Sequence, residues 1–375
     1  MEFRDLKKQY LALKDKIDAA MLQTAANGVY IMGNPVASLE KELAEYVGVK
    51  HCITCANGTD ALTLALMAWN IGAGDAVFVP DFTFFASGEV VSYEGAAPVF
   101  VDVDKDTFNL DPAKLEEAII KVLEKGELKP KAIIVVDLFG LPADYPAIQA
   151  VAKKYNLLIL EDAAQGFGGE INGKKACSFG DAATTSFFPA KPLGCYGDGG
   201  AVFTNDDAMA DYIRSAKFHG KGNDKYDNVR IGMNSRLDTI QAAILKPKFD
   251  AFREYELDAV NQAYVWYTEQ LKDVVKIPHI PNGFYSSFAQ YTILLENRQQ
   301  RDALQEHLKA QGIPSMVYYP KPMHLQSAFA GLGYQTGDFP VTEMLSDCVL
   351  SLPMHPYLEK VDIDKVAQAV KSFLI

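Results

Sequence analysis

The chain has little positive charge for its size, and it has no long apolar run. Its 36 lysines and arginines are outnumbered by 48 aspartates and glutamates, so the formal net charge over 375 residues is −12. That sign argues against nucleic acid or an anionic membrane as the main partner, although a small anionic ligand can still meet a locally basic site. No stretch approaches the roughly 18 consecutive apolar residues of a transmembrane helix, so no span is predicted.

Cysteine is scarce, and its pattern excludes several kinds of site. Five cysteines are an odd number and do not suggest a disulfide framework, so a reducing cytoplasm is the expected compartment. Cys52 and Cys55 have C-x-x-C spacing, but a second such pair is missing. Alternation along a strand would also place these two on opposite faces, so neither a metal nor a redox role is expected. The start, MEFRDLKKQYLALKDKI, is an amphipathic helical pattern without the apolar centre of a signal peptide.

The sequence does contain a long alternation of strand and helix patterns. Two helical patterns come first, over the first 25 residues and over NPVASLEKELAEYVG. The predicted strands are HCITC, AVFVP, APVFVDV, AIIVVDLFG, LLILEDAA, TTSFF and AVFTN, with helical patterns such as GTDALTLALMAWN between most of them. Apolar runs without strict alternation are typical of strands covered on both faces. The alternation predicts an α/β fold with a mainly parallel sheet between helices.

The pattern changes after Leu237, where a long helical stretch begins. Beyond it come mixed strands, helices and proline-rich loops, which predict a smaller α/β domain. We therefore predict a large domain over residues 1–250 and a small C-terminal domain over residues 251–375.

Three segments that follow predicted strands carry candidate chemistry, because ligands of open α/β sheets bind beyond the carboxyl ends of strands. After the first strand, Gly58 and Thr59 open a helix whose free N–H groups suit a phosphate. Asp162 ends a central apolar strand, where a carboxylate is costly without a partner. Lys191 follows a later strand, and Ser186 just before it offers a hydroxyl to the same phosphate.

Each of these segments also has an ordinary structural explanation. Asn57 or Thr59 suits a helix N-cap, Asp162 suits a capping aspartate, and Lys191 suits a surface turn. The conjunction is more informative than its parts. A phosphate loop, then a carboxylate, then a single lysine is what pyridoxal phosphate chemistry needs, since the carboxylate keeps the ring nitrogen protonated and the lysine carries the aldehyde and moves the proton.

Longer motifs point to a particular family. NGTDAL, FTFFAS, PVFVDVD, EDAAQGFGG, SFFPAKPLGCYGDGGA and RIGMNSRLDTIQAAIL resemble the DegT/DnrJ/EryC1/StrS sugar aminotransferases, and the similarity runs from FRDLKKQY to SLPMHPYL. This resemblance implies the type I pyridoxal phosphate transferase fold. CANGTDAL, MNSRLD and SLPMHPYL are most similar to the branch that aminates UDP-2-acetamido-2-deoxy-3-oxo-glucuronate.

The resemblance implies roles for individual residues around the cofactor. Lys191 matches the Schiff-base lysine, and Asp162 matches the partner of the ring nitrogen. The remaining matches are cofactor contacts: Gln165 near the ring hydroxyl, Phe84 stacked on the ring (with Phe85 beside it as the alternative), and Gly58, Thr59 and Ser186 at the phosphate.

The resemblance also implies a homodimer with shared active sites. Asn234 matches an asparagine that reaches the phosphate in the neighbouring subunit, and Arg236 would face the substrate or the amino donor there. A surface arginine at a helix start is the alternative for Arg236. Tyr318 and Tyr319 stand where relatives commonly have His-Tyr, which puts the sugar in question. His324 is a further candidate substrate contact, with an ordinary loop histidine as the alternative.

The implied activity is transfer of an amino group from L-glutamate, which leaves as 2-oxoglutarate, through pyridoxamine phosphate to a nucleotide-linked keto sugar. The expected carbon is C3 of a UDP-2-acetamido-3-keto-hexuronate, for a surface polysaccharide such as an O-antigen. No arginine follows Arg301 to hold a substrate carboxylate from the small domain, which favours a substrate that is not an amino acid. The alternatives are a dTDP-3-keto or 4-keto 6-deoxyhexose, a UDP-4-keto sugar, and a regulatory protein with the same fold. No metal, nucleic-acid or membrane partner is expected.

Overall fold

The computed structural model describes residues 1–224 and 226–375. The helices in those residues are α1 (Leu6–Asn27), α2 (Asn34–Val47), α3 (Gly58–Ala68), α4 (Ala86–Tyr93), α5 (Pro112–Lys125), α6 (Tyr145–Tyr155), α7 (Asp207–Ala216), α8 (Thr239–Ala251), α9 (Leu257–Leu271), α10 (Arg298–Ala310), α11 (Pro340–Cys348) and α12 (Lys360–Leu374). The strands are β1 (His51–Cys55), β2 (Asp75–Pro80), β3 (Ala97–Val101), β4 (Lys129–Val136), β5 (Leu158–Asp162), β6 (Glu170–Ile171), β7 (Lys174–Lys175), β8 (Ala182–Ser186), β9 (Gly200–Thr204), β10 (Phe284–Tyr285), β11 (Tyr291–Leu294) and β12 (Val349–Leu352).

A seven-stranded sheet forms the centre of the molecule, in the order β1-β9-β8-β5-β4-β2-β3. β9 is antiparallel to both of its neighbours, and the other neighbouring pairs are parallel. These are the seven strands predicted from the apolar runs, and the mainly parallel α/β sheet is confirmed. Most residues of these strands are buried because helices cover both faces. The carboxyl ends of β1, β2, β4, β5 and β8 therefore meet at one edge.

The two cysteines of the C-x-x-C pair lie on opposite faces of this sheet, as strand alternation predicted. Cys52 packs in the cluster under α2 and α5, whereas Cys55 packs with α3 on the other face. Burial raises the pKa of Cys52 well above its ordinary value and that of Cys55 to about 12. Both thiols are therefore protonated near neutral pH and unreactive.

The C-terminal part packs around a separate apolar cluster. β11 and β12 pair antiparallel, and α9, α10 and α12 cover them through residues such as Tyr267, Leu304 and Val366. α8 and α9 are joined through one wider helical turn at Phe252–Glu256, so the predicted boundary near residue 250 falls inside a continuous helical segment. The division into two domains stays a prediction.

Two details of this part were not predicted. β10 crosses back to pair with β6 in a small three-stranded sheet with β7. Met323 and Phe329 join the apolar cluster on one face of the large sheet. These contacts bring the proline-rich loops after α10 to the carboxyl edge of the large sheet. Within the described ranges, no helix is both long and apolar enough to cross a membrane.

Candidate active site

The start of α3 lies against the end of β8 at the carboxyl edge of the sheet. Asn57 caps the helix by accepting a hydrogen bond from the Asp60 amide at 2.7 Å, so the capping explanation holds for this residue. A Cβ placed on Gly58 would lie 2.8 Å from the Cβ of Ser186, which explains why a residue without a side chain occupies this position. The first N–H groups of a helix have no partner inside it, so Gly58, Thr59 and the Ser186 hydroxyl form a site suited to an anion.

Asp162 ends β5 and is buried at the same edge. The Ser87 hydroxyl donates a hydrogen bond to Oδ2 at 2.8 Å, and the Ala164 amide donates to Oδ1 at 3.2 Å. Burial raises the pKa of Asp162, while these two hydrogen bonds and the charge of Lys191 oppose that rise. A cation placed beside this carboxylate would relieve the cost of its burial.

Lys191 lies in the loop that follows β8 and is half-buried. Its backbone carbonyl accepts a hydrogen bond from Arg4 Nη2 at 2.7 Å. Burial lowers the pKa of the Lys191 amine, Asp162 opposes this shift, and the Arg4 charge adds to it. An amine with a lowered pKa is more often neutral near pH 7, which is the form that acts as a nucleophile or a base.

Gln165, a predicted cofactor contact, is hydrogen-bonded to Tyr319, a predicted substrate contact. Its Oε1 accepts a hydrogen bond from the Phe139 amide at 2.8 Å, and its Nε2 donates to the Tyr319 hydroxyl at 2.9 Å. The Tyr319 ring lies 6.3 Å from the ring of Phe84. Phe84 is 55% exposed, whereas Phe85 packs against Phe329 with ring centroids 5.2 Å apart. Of the two neighbouring phenylalanines, Phe84 is therefore the one available to a ligand.

Successive side chains in the segment from Asn234 to Arg236 point in opposite directions. The Ser235 hydroxyl donates to Asp60 Oδ2 at 2.6 Å and accepts from the Ala56 amide at 3.0 Å, so it faces the start of α3 in its own chain. Asn234 is exposed, and the half-buried guanidinium of Arg236 lies 4.8 Å from the centre of the Phe218 ring. The side chains of Asn234 and Arg236 therefore point away from the start of α3, which Ser235 contacts.

The two remaining predicted residues differ in their surroundings. Tyr318 is half-buried, and its ring lies 6.2 Å from that of Phe3. His324 is fully enclosed: its Nδ1 lies 2.6 Å from Asp81 Oδ2 and its Nε2 lies 3.3 Å from Glu343 Oε1. Burial disfavours the imidazolium, but the hydrogen bond and charge of Asp81 outweigh burial and raise the pKa of His324. The structure thus separates His324 from the open part of the site.

Two residues at the site were not predicted from the sequence. Ser87, at the start of α4, donates a hydrogen bond to the Asp162 carboxylate. Arg4, in the segment before α1, donates a hydrogen bond to the backbone carbonyl of Lys191. Both lie inside quoted motifs, FTFFAS and FRDLKKQY, but a serine in a helix and an arginine near an amphipathic helix carry no local signal of these contacts.

The comparison with known proteins agrees with this geometry. Residues 12–371 match the model of the DegT/DnrJ/EryC1/StrS aminotransferase family. The UDP-2-acetamido-2-deoxy-3-oxo-D-glucuronate aminotransferase of Pseudomonas aeruginosa is 46% identical over 99% of this chain and 100% of its own length. A protein of Geobacillus stearothermophilus named as a pleiotropic regulatory protein is 43% identical over 98% of this chain and 97% of its own.

Solved structures agree as well. A DegT DnrJ EryC1 StrS aminotransferase from Brucella abortus is 52% identical, covers 100% of this chain and 99% of its own, and superposes with a TM-score of 0.96. Spr1654 from Streptococcus pneumoniae has been solved in a PLP form and a PMP form, at 25% identity over 96% of both chains and a TM-score of 0.88. The type I transferase fold implied by the motifs is confirmed, and the chain belongs to the DegT/DnrJ/EryC1/StrS aminotransferase family.

Proposed function

We propose that this protein is a pyridoxal-phosphate-dependent aminotransferase that transfers an amino group to a keto carbon of a nucleotide-linked sugar. One observation carries the proposal. A buried carboxylate, Asp162, and a lysine with a lowered pKa, Lys191, interact electrostatically at the sheet edge where α3 begins. The relative from Pseudomonas aeruginosa and the PLP and PMP forms of Spr1654 support the same chemistry.

The residues present fit this cofactor. Gly58 allows the backbone at the start of α3 to approach Ser186, leaving the helix N-terminus to a phosphate. The carboxylate of Asp162 is buried and accepts a hydrogen bond from the Ser87 hydroxyl. A cationic partner, such as a protonated ring nitrogen, would offset the cost of its burial. Phe84 presents an exposed ring at the same edge.

When bound, pyridoxal phosphate supplies an aldehyde and an electron-withdrawing ring. Asp162 would hold the proton on the ring nitrogen, because an ionised carboxylate about 4 Å from a cation contributes on the order of 4 kcal/mol at an effective dielectric constant near 20. Ser87 orients that carboxylate. Lys191 would bind the aldehyde carbon, and its Nζ would move the proton between the substrate carbon and the cofactor carbon in both half-reactions. Phe84 would cover one face of the ring and exclude water.

The proposed donor is L-glutamate, and the proposed acceptor is C3 of a UDP-2-acetamido-3-keto-hexuronate. The acceptor follows from the Pseudomonas aeruginosa relative, whose name states that substrate. Tyr318 and Tyr319 are the proposed sugar contacts, since Tyr319 lies between Gln165 and Phe84. A dTDP-linked 3-keto or 4-keto 6-deoxyhexose and a UDP-4-keto sugar are the competing acceptors.

Incubation with L-glutamate and a panel of keto sugars tests this assignment. We expect the UDP-3-keto-hexuronate to gain one amino group at C3, as read by product mass and by the position of the new amine in the NMR spectrum. Amination of a dTDP sugar with higher kcat/KM would replace this acceptor by the competing one. A protein that reacts with neither the donor nor any sugar would support the regulatory alternative, which the name of the Geobacillus stearothermophilus relative also suggests.

We further propose a homodimer with shared sites. The exposed apolar residues Tyr30 and Met32 lie beside the segment 234–239, because the Thr239 amide donates to the Tyr30 carbonyl at 2.8 Å. An exposed apolar surface of this kind is typical of an interface. Asn234 and Arg236 would then enter the partner's site across a two-fold axis.

Subunit complementation tests the shared site. Lys191→Ala and Arg236→Ala subunits, each inactive alone, should recover about a quarter of wild-type activity after random exchange, since about half the dimers are mixed and each of those has one intact site. If the two residues serve the same chain's site, every site in the mixture carries a lesion. Absence of recovery, with exchange demonstrated by native mass spectrometry, would therefore contradict the proposal.

The proposed compartment is the cytoplasm, and the proposed product is a precursor of a surface polysaccharide such as an O-antigen. All five cysteines are free and buried, which fits a reducing compartment.

A further inference from the structure

Arg4 is an arginine whose side chain contacts the backbone of the Lys191 loop. Its Nη2 donates to the backbone carbonyl of Lys191 at 2.7 Å and to that of Pro192 at 3.4 Å. Among the residues that the structure describes, nothing accepts a hydrogen bond from its Nε or Nη1, and no carboxylate forms an ion pair with it. Three of the five N–H groups of the guanidinium, those on Nε and Nη1, therefore have no acceptor within residues 1–224 and 226–375.

The surroundings of Arg4 have an excess of positive charge. Lys191 and the buried Lys248 both interact unfavourably with it, and burial of His355 beside Arg4 lowers the pKa of that imidazole to about 4 and keeps it neutral. In the part of the chain that the structure describes, Glu256 is the carboxylate that favours the charge of Arg4, and its Oε1 already accepts hydrogen bonds from Gln9 at 2.9 Å and Tyr357 at 2.7 Å. Burial lowers the pKa of Arg4 to about 10, so the guanidinium is still charged at neutral pH. Arg4 is half-buried, and an anion beside it would offset the unfavourable charges around it.

The other arginines are engaged elsewhere in the described chain. They lie against their own neighbours: Arg214 on Asp211, Arg230 on Tyr212, Arg236 on Phe218, Arg253 on Asp250, Arg298 on Asp347 and Arg301 on Asp302. Among the described residues, Arg4 is therefore the arginine whose side chain contacts the Lys191 loop of its own chain.

The segment that carries Arg4 also reaches the proposed sugar-binding side. The Phe3 ring lies 6.2 Å from the ring of Tyr318, and the Phe3 carbonyl accepts a hydrogen bond from the Met354 amide at 3.3 Å. Phe3 and Arg4 thus connect the Lys191 loop with the C-terminal loops that close the site. The Arg4 guanidinium is close enough to the Lys191 amine for its charge to lower the pKa of that amine, so a ligand that reacts at Lys191 would lie near this guanidinium.

We propose that Arg4 binds a carboxylate of the amino donor and so selects an amino acid as the amino source. This inference rests on the proposed aminotransferase function. A planar guanidinium with unused N–H groups is suited to a carboxylate, which accepts two parallel hydrogen bonds from it. Binding of the donor by Arg4 also explains how a chain without an arginine after Arg301 can hold the carboxylate of an amino acid.

The test separates the two half-reactions of the loaded enzyme. Single-turnover reaction with L-glutamate, followed by cofactor absorbance, should require about 10- to 100-fold more glutamate for half-saturation in Arg4→Gln, the range for loss of a charged hydrogen-bonded pair. The reaction of the aminated enzyme with its keto sugar should change less than about 3-fold. Arg4→Lys should fall between Arg4→Gln and wild type, because lysine keeps the charge and loses the planar fork. Affinity for 2-oxoglutarate, measured by calorimetry, should fall in parallel.

Arg253→Gln is the matched control, since Arg253 is an arginine paired with Asp250 at the surface, and it should leave both half-reactions unchanged. Equal slowing of both half-reactions by Arg4→Gln would mean that Arg4 only positions the Lys191 loop. Loss confined to a keto-hexuronate and absent for its uncharged hexose analogue would assign Arg4 to the sugar carboxylate. Either result overturns the inference. A wild-type enzyme that reacts with glutamate but with no keto sugar would refute the proposed acceptor and leave the Arg4 test intact.

Discussion

Lys191→Ala should lower turnover by about 10³- to 10⁴-fold, because the variant loses a positioned general acid–base together with the amine that binds the cofactor's aldehyde. The fold should survive, since the structural contacts of this residue are made by its backbone: its carbonyl accepts from Arg4, and its amide donates to the Phe188 carbonyl at 2.8 Å. Alanine at position 191 can make the same two backbone hydrogen bonds. Steady-state turnover and the thermal unfolding midpoint measure the two effects, with the exposed Lys41→Ala as the control variant.

A second buried lysine, Lys248, is the competing candidate for the lysine that binds the cofactor. Lys248 is also buried, burial lowers its pKa to about 8, and its Nζ has no hydrogen-bond partner in the described structure. On pKa alone it would be the stronger candidate. Its ammonium, however, lies over the Tyr196 ring at 4.9 Å. The carboxylate that interacts with it, Glu256, already accepts hydrogen bonds from Gln9 and Tyr357. Borohydride reduction of the loaded protein and peptide mapping should place the cofactor on the FFPAKPLG peptide. A label on Lys248 would refute the assignment of Lys191.

Asp162→Asn should lower turnover by about a thousandfold, the equivalent of the roughly 4 kcal/mol expected for an ion pair at 4 Å and an effective dielectric constant near 20. A neutral amide cannot hold the proton on the ring nitrogen, so the ring withdraws electrons less strongly. The side-chain volume is kept, and Ser87 and Ala164 remain close enough to contact the amide. The thermal unfolding midpoint of the cofactor-free protein should therefore change little.

Ser87→Ala is the matched control for the carboxylate. It removes the 2.8 Å hydrogen bond to Asp162 and keeps the charge, so its effect on turnover should be clearly smaller than that of Asp162→Asn. Single-turnover rates with glutamate separate these cases. A near-normal rate in Asp162→Asn would mean that the carboxylate only caps the end of β5, which is the explanation that the sequence alone left open.

Prediction from the sequence succeeded for elements with strong local patterns. β2, β4 and β9 are mainly apolar runs followed by polar residues, and α3 follows a capping asparagine, so these elements and their order could be predicted without the structure. The short strands β6, β7 and β10 were not predicted, because two-residue strands carry no periodicity and form only where distant chain segments meet.

The same contrast applies within the candidate site. Phe84 and Phe85 are chemically equivalent in the sequence, and only packing of Phe85 on Phe329 separates them. The His324 side chain is enclosed by Asp81 and Glu343 from distant parts of the chain, so its loop sequence gave no sign of its burial.

By itself, the sequence determined the fold class, the family and the order of the phosphate loop, the carboxylate and the lysine, because these depend on local periodicity and on residue types at strand ends. The tertiary structure alone decided which side chains act together. Ser87 meets Asp162, Arg4 meets Lys191, and Tyr319 meets Gln165, in each case across a long separation along the chain. Such contacts depend on where helices and loops pack around the sheet edge, and packing is a property of the whole chain that no local pattern encodes.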